Sequence, residues 1–128
     1  MINDKIHSKS GRGLLAYVGL EMNDSDSDIN FIAHKMINLR IFNDNSNKMN
    51  HSVNDIDGDI MLVSQFTLCA NLERGLRPSF TNAMPIDAAE IMFNKFVHYM
   101  NLKYRHIYSG VFQSNMMVDA VNCGPATF

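Results

Sequence analysis

Two amphipathic stripes of helical period, set on either side of one short apolar run, limit what this chain can fold into. In DSDSDINFIAHKMINLRIF, the residues Ile29, Ile32, Ala33, Met36 and Ile37 recur at i, i+3, i+4, i+7 and i+8, and Asp24 to Asp28 supply capping groups and negative charge at the start. That spacing predicts a first helix. In PIDAAEIMFNKFVHYM, Ala89, Met92, Phe93, Phe96, Val97 and Met100 form a second stripe, with Asp87 and Glu90 spaced as a cap and its reciprocal partner. Between the stripes, GDIMLVSQFTLCA (Gly58 to Ala70) follows an Asp57-Gly58 turn signal and reads as a strand. GLLAYVGL (Gly13 to Leu20) and the terminal GVFQSNMMVDAVN read as two more. The order strand, helix, strand, helix, strand predicts an α/β (α+β-like) domain: a mixed, mainly antiparallel sheet with two helices on one face. So few strands leave exposed edges, which a second copy of the chain would cover by homodimerisation.

At 128 residues the chain is read as a single domain, long enough to bury roughly two thirds of its unfolded surface. Its hydrophobic fraction of 46% and charged fraction of 19% are those of an ordinary globular protein, so no segment needs to be set aside as disordered. Apolar runs such as Ile60 to Val63 are far too short for a membrane span, and MINDKIHSKSGRG lacks a signal peptide's apolar core. A cytoplasmic protein without membrane contact is expected. Two cysteines, Cys69 and Cys123, make no disulfide framework or zinc pattern, and the five histidines are irregularly spaced. Neither a metal nor a cofactor is expected. A net charge of −2 argues against wrapping long nucleic acid, yet leaves room for grasping one end of a strand.

Four stretches carry candidate chemistry. SQFTL, Ser64 to Leu68, continues the buried run into polar residues and backbone amides, where α/β folds commonly hold ligands. The plainer alternative is that Ser64 and Thr67 bond neighbouring backbone while Gln65 faces water. RGLRPSF, Arg74 to Phe80, sets two arginines around a glycine before a proline-fixed turn; Arg74 or Arg77 could meet a phosphate, or both could be solvated surface cations. In NDNSNKMNHS, Lys48 could reach an RNA backbone, or the stretch is simply a polar loop. VNCGPATF closes the chain with a Gly-Pro pair that a strand serving only to finish a sheet does not need. No nucleophile elbow, phosphate-cradling glycine loop or Ser, His, Asp set is present, so general acid and base side chains are not the expected source of any catalytic power.

Taken together, SQFTL, RPSF soon after it, and the ending Asn122-Cys123-Gly124-Pro125-Ala126-Thr127 closely resemble the D-aminoacyl-tRNA deacylases, also called D-tyrosyl-tRNA deacylases. The resemblance runs from about Gly13 to the end and includes GLLAYVGL, KMINLRIFND and KMNHSV in family order. It implies a homodimeric hydrolase that cleaves the ester between a D-amino acid and the terminal adenosine of tRNA, and that also removes mischarged glycine. Ser64, Gln65, Phe66 and Thr67 would form the catalytic segment, with amides near Phe66 and Thr67 stabilising the oxyanion and Gln65 orienting the substrate. The tRNA's own ribose 2′-hydroxyl would help activate the attacking water, and Thr67 as a covalent nucleophile is the less favoured version. Asn122, Gly124 and Pro125 would bind the substrate. The Gly124-Pro125 bond is cis in the family, and the motif enters the partner's active site, where its two carbonyls would take the α-ammonium and leave no room for an L side chain. Phe112 and Met116 match positions around the adenine.

The chain departs from the family pattern in places. The strand usually preceding GLLAYVGL, which contains a Gln-Arg-Val-like segment, is expected to be absent; Gln113 stands where Gly is usual, and Cys123 where Asp is common. Two alternatives therefore stand beside the proofreading hydrolase: a folded, catalytically impaired homologue that only binds tRNA 3′ ends, and an unrelated esterase using Thr67.

Overall fold

The computed structural model describes residues 1–124 and 126–128; Pro125, singled out above, lies outside the described residues. The elements run β1 (Gly13–Val18), α1 (Asp26–Asn38), β2 (Phe42–Asn43), β3 (Met49–His51), β4 (Asp59–Ser64), a 3-10 turn (Phe66–Cys69), α2 (Ile86–Lys103) and β5 (Ile107–Ser109). The expected order of strand, helix, strand, helix and strand is kept in β1, α1, β4, α2 and β5, with the short β2–β3 hairpin added in the stretch read as a polar loop. The sheet is not mainly antiparallel.

β4 is the centre of a three-stranded sheet in the order β1-β4-β5, and both of its pairings are parallel, Gly13 to Val18 against Asp59 to Ser64 and Ile60 to Leu62 against Ile107 to Ser109. Parallel neighbours require a crossover, and helices α1 and α2 lie in the two connections. The antiparallel ladder among the described residues is the small β2–β3 hairpin, where the Asp44 carboxylate accepts from the Ser46 and Lys48 amides at 2.7 and 3.1 Å and so holds the turn carrying Lys48.

The helical stripes explain the core. Ile29, Ala33 and Ile37 of α1 and Ala89, Phe93, Phe96 and Met100 of α2 are buried, as their spacing predicts, and they pack with Ile60 and Leu62 of β4. Leu14, Ala16 and Val18 join them from β1, on the same face of the pleat. The alternate residues Leu15 and Tyr17 face away from the helices and stay exposed. Ile32 of the first stripe is likewise 41% exposed.

Helix α1 begins as expected: the Ser25 amide donates to Asp28 Oδ2 at 2.8 Å. Helix α2 does not use the Asp87 and Glu90 cap. Pro85 occupies the cap position at φ −53°, its carbonyl accepts from the Ala89 amide at 2.8 Å, and Asp87 falls inside the first turn, where its charge meets the positive helix end.

Two further boundaries moved. The strand expected over Gly58 to Ala70 ends at Ser64, because the ladder with β1 runs out when the Gln65 amide takes the Val18 carbonyl at 2.8 Å. The terminal strand sits earlier, at Ile107–Ser109, and GVFQSNMMVDAVN is irregular. Gln113 adopts φ +62° in a turn closed by the Ser114 amide on the Val111 carbonyl, which breaks any extended run there. In residues 1–12, an isolated Ile2–Lys5 bridge is present but no strand joins the sheet. No helix of the described residues is long and apolar enough to cross a membrane.

Candidate active site

Because β1, β4 and β5 are parallel, their carboxyl ends emerge together, and SQFTL leaves the sheet at that end. Ser64 is the last residue of β4 and half-buried; Gln65, still extended at φ −146° and ψ 91°, turns the chain into the 3-10 segment that starts at Phe66. The turn sits closely on β1 because residue 19 is glycine: a Cβ there would lie 3.0 Å from Leu68 Cβ and 3.1 Å from Cys69 Sγ. Cys69 is thereby buried beneath the turn, its Sγ 3.5 Å from the Leu20 carbonyl, and burial, with Glu21 and Asp24 nearby, pushes the thiol pKa up. A thiol so placed is protonated and inert at neutral pH.

Phe66 and Thr67 are exposed, and among the described residues neither backbone amide has an acceptor. Amides at the start of a helical turn have no intrahelical partner, so both are left free to donate. Thr67 Oγ1 accepts from Gln65 Nε2 at 2.6 Å. Among the described residues no histidine or carboxylate is bonded to that hydroxyl, so none of them acts as a base to make it a nucleophile.

The second motif meets the first through an aromatic pair. The Phe80 ring of RPSF lies 4.9 Å from the Phe66 ring, edge to face, while Asn71 and Ser79 exchange backbone hydrogen bonds of 2.7 and 3.0 Å and close the intervening loop. The sequence drew attention to the arginines of this stretch and missed Phe80. One aromatic in each of two motifs a dozen residues apart was the available signal.

Gly110 continues β5 by donating to the Leu62 carbonyl at 2.9 Å, so Phe112 and Met116 follow at the same end of the sheet. Met116 rests on Gly110, where a Cβ would meet its sulfur at 2.5 Å. Phe112 is half-buried, tilted against Phe93 at 6.1 Å, and belongs in part to the core. The chain's ending stands apart. Asn122 and Gly124 are exposed, Gly124 takes φ +125°, and Asn122 Nδ2 donates to Thr127 Oγ1 at 3.0 Å. No hydrogen bond among the described residues joins this ending to Ser64–Thr67 of the same chain. No group of three or more metal-ligating side chains is found among the described residues.

Comparisons with known proteins bear on the family and the fold. A family model described as D-Tyr-tRNA(Tyr) deacylase matches residues 1–128. The chain is 44% identical over 121 residues to a D-aminoacyl-tRNA deacylase of Thermodesulfovibrio yellowstonii, covering 94% of this chain and 83% of that protein. It is 42% identical over 126 residues to one of Syntrophus aciditrophicus, covering 98% and 85%. Among solved structures it is similar to a c-Myc DNA Unwinding Element Binding Protein, with TM-score 0.93 and 34% identity over 98% of this chain and 86% of that one. It also superimposes on a probable eukaryotic D-amino acid tRNA deacylase with TM-score 0.78 over 90% and 83%, where 15% identity speaks for the fold alone. With a family match spanning the whole chain and relatives above two fifths identity, the chain belongs to the D-Tyr-tRNA(Tyr) deacylase family, a family of ester-bond hydrolases.

Proposed function

We propose that this chain hydrolyses the ester bond of D-aminoacyl-tRNA, and of tRNA mischarged with glycine, releasing the free amino acid and tRNA. The observation that carries the reading is the pair of amides of Phe66 and Thr67 that have no acceptor among the described residues, at the carboxyl end of the sheet. As water adds to the ester carbonyl, negative charge collects on its oxygen, and two fixed amide donors stabilise that charge more than they stabilise the neutral ester. The C–O bond to the ribose then breaks, and the ribose oxygen leaves with a proton. The absence of a base at Thr67 supports a route in which the tRNA's 2′-hydroxyl assists the water, with Ser64 and Gln65 helping to hold the acyl end and Phe112 and Met116 the adenine.

Chiral selection is assigned to the ending Asn122 to Pro125. Backbone carbonyls of Gly124 and Pro125, aimed at the α-ammonium, would read configuration without reading side-chain identity; an L substrate would have to give up those hydrogen bonds, a large penalty once the groups are buried. Since no hydrogen bond among the described residues ties this ending to its own chain's SQFTL turn, the reading puts it in the partner of a homodimer. Support for a second copy also comes from Leu15 and Tyr17, because parallel sheets are ordinarily covered on both faces.

The test is paired deacylation of D-Tyr-tRNA and L-Tyr-tRNA. Loss of the D ester with the L ester intact is expected, and replacement of Pro125 by Ala should reduce that discrimination. If the folded dimer cleaves neither ester, the impaired, tRNA-binding homologue replaces this reading; the lack of any strand from residues 1–12 in the sheet is the feature that favours it.

A further inference from the structure

The loop between the two motifs contains cations that the reaction itself leaves unused. Arg74 and Arg77 are both exposed, and neither has an ion-pair or hydrogen-bond partner among the described residues, unlike Lys95, which is held by Asp26, and Arg105, which is held by Asp57. Gly75 between them takes φ +71° with nothing within 4 Å of where its side chain would be, and Leu76 is fully exposed, so the tip of the loop projects into solvent. Its base is fixed by the Asn71–Ser79 hydrogen bonds and by Phe80 on Phe66, which ties the projection to the catalytic turn.

The charge around it makes this placement consequential. Within residues 19–28, 65–90 and 110–116, at the carboxyl end of the sheet, Arg74 and Arg77 are the only lysines or arginines, and the cations that border these segments, Lys95 and the N-terminal ammonium, are held by Asp26 and by the Met117 carbonyl. The carboxylates there include Glu21 and Asp24 in the connection that pairs with Ala83, the aspartates opening α1, and Glu73 within the loop. A polyanion approaching the Phe66 and Thr67 amides along this rim would be repelled except at the loop tip, which stands clear of it. We propose that Arg74 and Arg77 form a phosphate clamp for the duplex part of an RNA whose 3′ end enters the SQFTL site, gripping successive backbone phosphates of the acceptor stem. They stand three positions apart in the sequence, so their Cα atoms are at most about 11 Å apart, a span that suits neighbouring phosphates of one strand. The clamp carries no sequence information; it sets the distance from stem to ester and supplies affinity that falls with salt.

This inference rests on the proposed action on aminoacyl-tRNA, and the experiment separates the two. Wild type, Arg74→Gln/Arg77→Gln and Arg74→Lys/Arg77→Lys are compared in two assays. The first is binding of an uncharged acceptor-stem minihelix with a single-stranded 3′ end across a salt series, which needs no catalysis. The glutamine variant should lose about two units of the slope of log affinity against log salt, and the lysine variant should keep it, since a point charge serves a phosphate. The second compares D-Tyr-tRNA with D-tyrosyl-adenosine, which has no stem. The glutamine pair should raise KM for the tRNA about tenfold with kcat within twofold, and leave D-tyrosyl-adenosine hydrolysis as in wild type. An unchanged salt slope, or an equal loss on both substrates, overturns the clamp. Failure of wild type to cleave either ester overturns the catalytic reading while the minihelix assay still decides whether the arginines hold RNA.

Discussion

At the amino ends of β4 and β5 the polar groups are tied to one another, whereas at the carboxyl ends they are left open. On the first side the buried Tyr104 hydroxyl donates to the Gly58 carbonyl at 2.5 Å and lies 3.3 Å from that of Val53. Burial, with Asp57 and Asp59 close by, pushes its pKa up and keeps the donor proton in place. Asp59 takes the Gly11 amide at 2.5 Å, Arg105 pairs with Asp57, and buried Ser52 exchanges hydrogen bonds with Asp55. His106 is the exception, its Nε2 buried 3.3 Å from Asp57 Oδ1 but off the line a hydrogen bond needs. On the other side the Phe66 and Thr67 amides have no acceptor among the described residues, Gln113 sits in a left-handed conformation, and Asn122 to Gly124 are exposed. The difference teaches that the closed end keeps the sheet in register so that the open end can hold unsatisfied donors in fixed positions.

The comparison breaks most visibly at Phe66. Proline is tolerated at the first position of a helical turn but has no amide hydrogen, so Phe66→Pro should lower kcat on D-Tyr-tRNA by about 10²–10³ relative to Phe66→Ala, which loses only the ring. Equal rates for the two variants would remove the oxyanion role. At the closed end, Tyr104→Phe should cost about 1–3 kcal/mol in urea unfolding, because a buried carbonyl loses its donor, with kcat of the folded protein unchanged. A shift in kcat as large as the stability loss would show the two ends to be coupled.

A smaller effect of opposite sign is expected at Gln113. Asn3, Asp4, Asn47 and Asp57 also have positive φ, but their short polar side chains tolerate it, whereas glutamine does not gain that relief. Gln113→Gly should therefore raise stability by about 1 kcal/mol. The smallest effect is acid dependence at Asp55, whose pKa is lowered chiefly by the Ser52 amide and then the Ser52 hydroxyl. A folded pKa below the unfolded value of 3.8 means that its contribution is present above about that pH and lost as pH falls through the folded value. The gap in urea midpoint between wild type and Asp55→Asn should shrink below pH 3.8 and hold steady from pH 5 to 7.

How much of this was legible depended on whether a pattern needs a partner. Both helices were, because Ile29, Ala33 and Ile37, or Phe93, Phe96 and Met100, declare a buried face by spacing alone. Strand direction was not: GLLAYV and DIMLVS pair residue for residue, but nothing in either says whether they run the same way, and that is settled by the helical crossover between them. The terminal stretch misled for a related reason. Val118 and Val121 have strand-forming side chains, yet remain 42% and 89% exposed because no neighbouring strand of this chain receives them. SQFTL was misread as a continuing strand, since the turn at Phe66 depends on how closely Gly19 lets it approach.

The parallel pairing also governs how the chain must come into being. Gly13 meets Asp59, and Ile60 meets Ile107, so each join in the sheet spans more than a third of the sequence. On a ribosome, β1 waits with its amides unmatched until β4 emerges, and β4 keeps an open edge until the last quarter of the protein is made. Closing such long loops before any contact rewards them is slow. Synthesis should therefore release a chain whose helices have already formed and whose sheet assembles last, around β4.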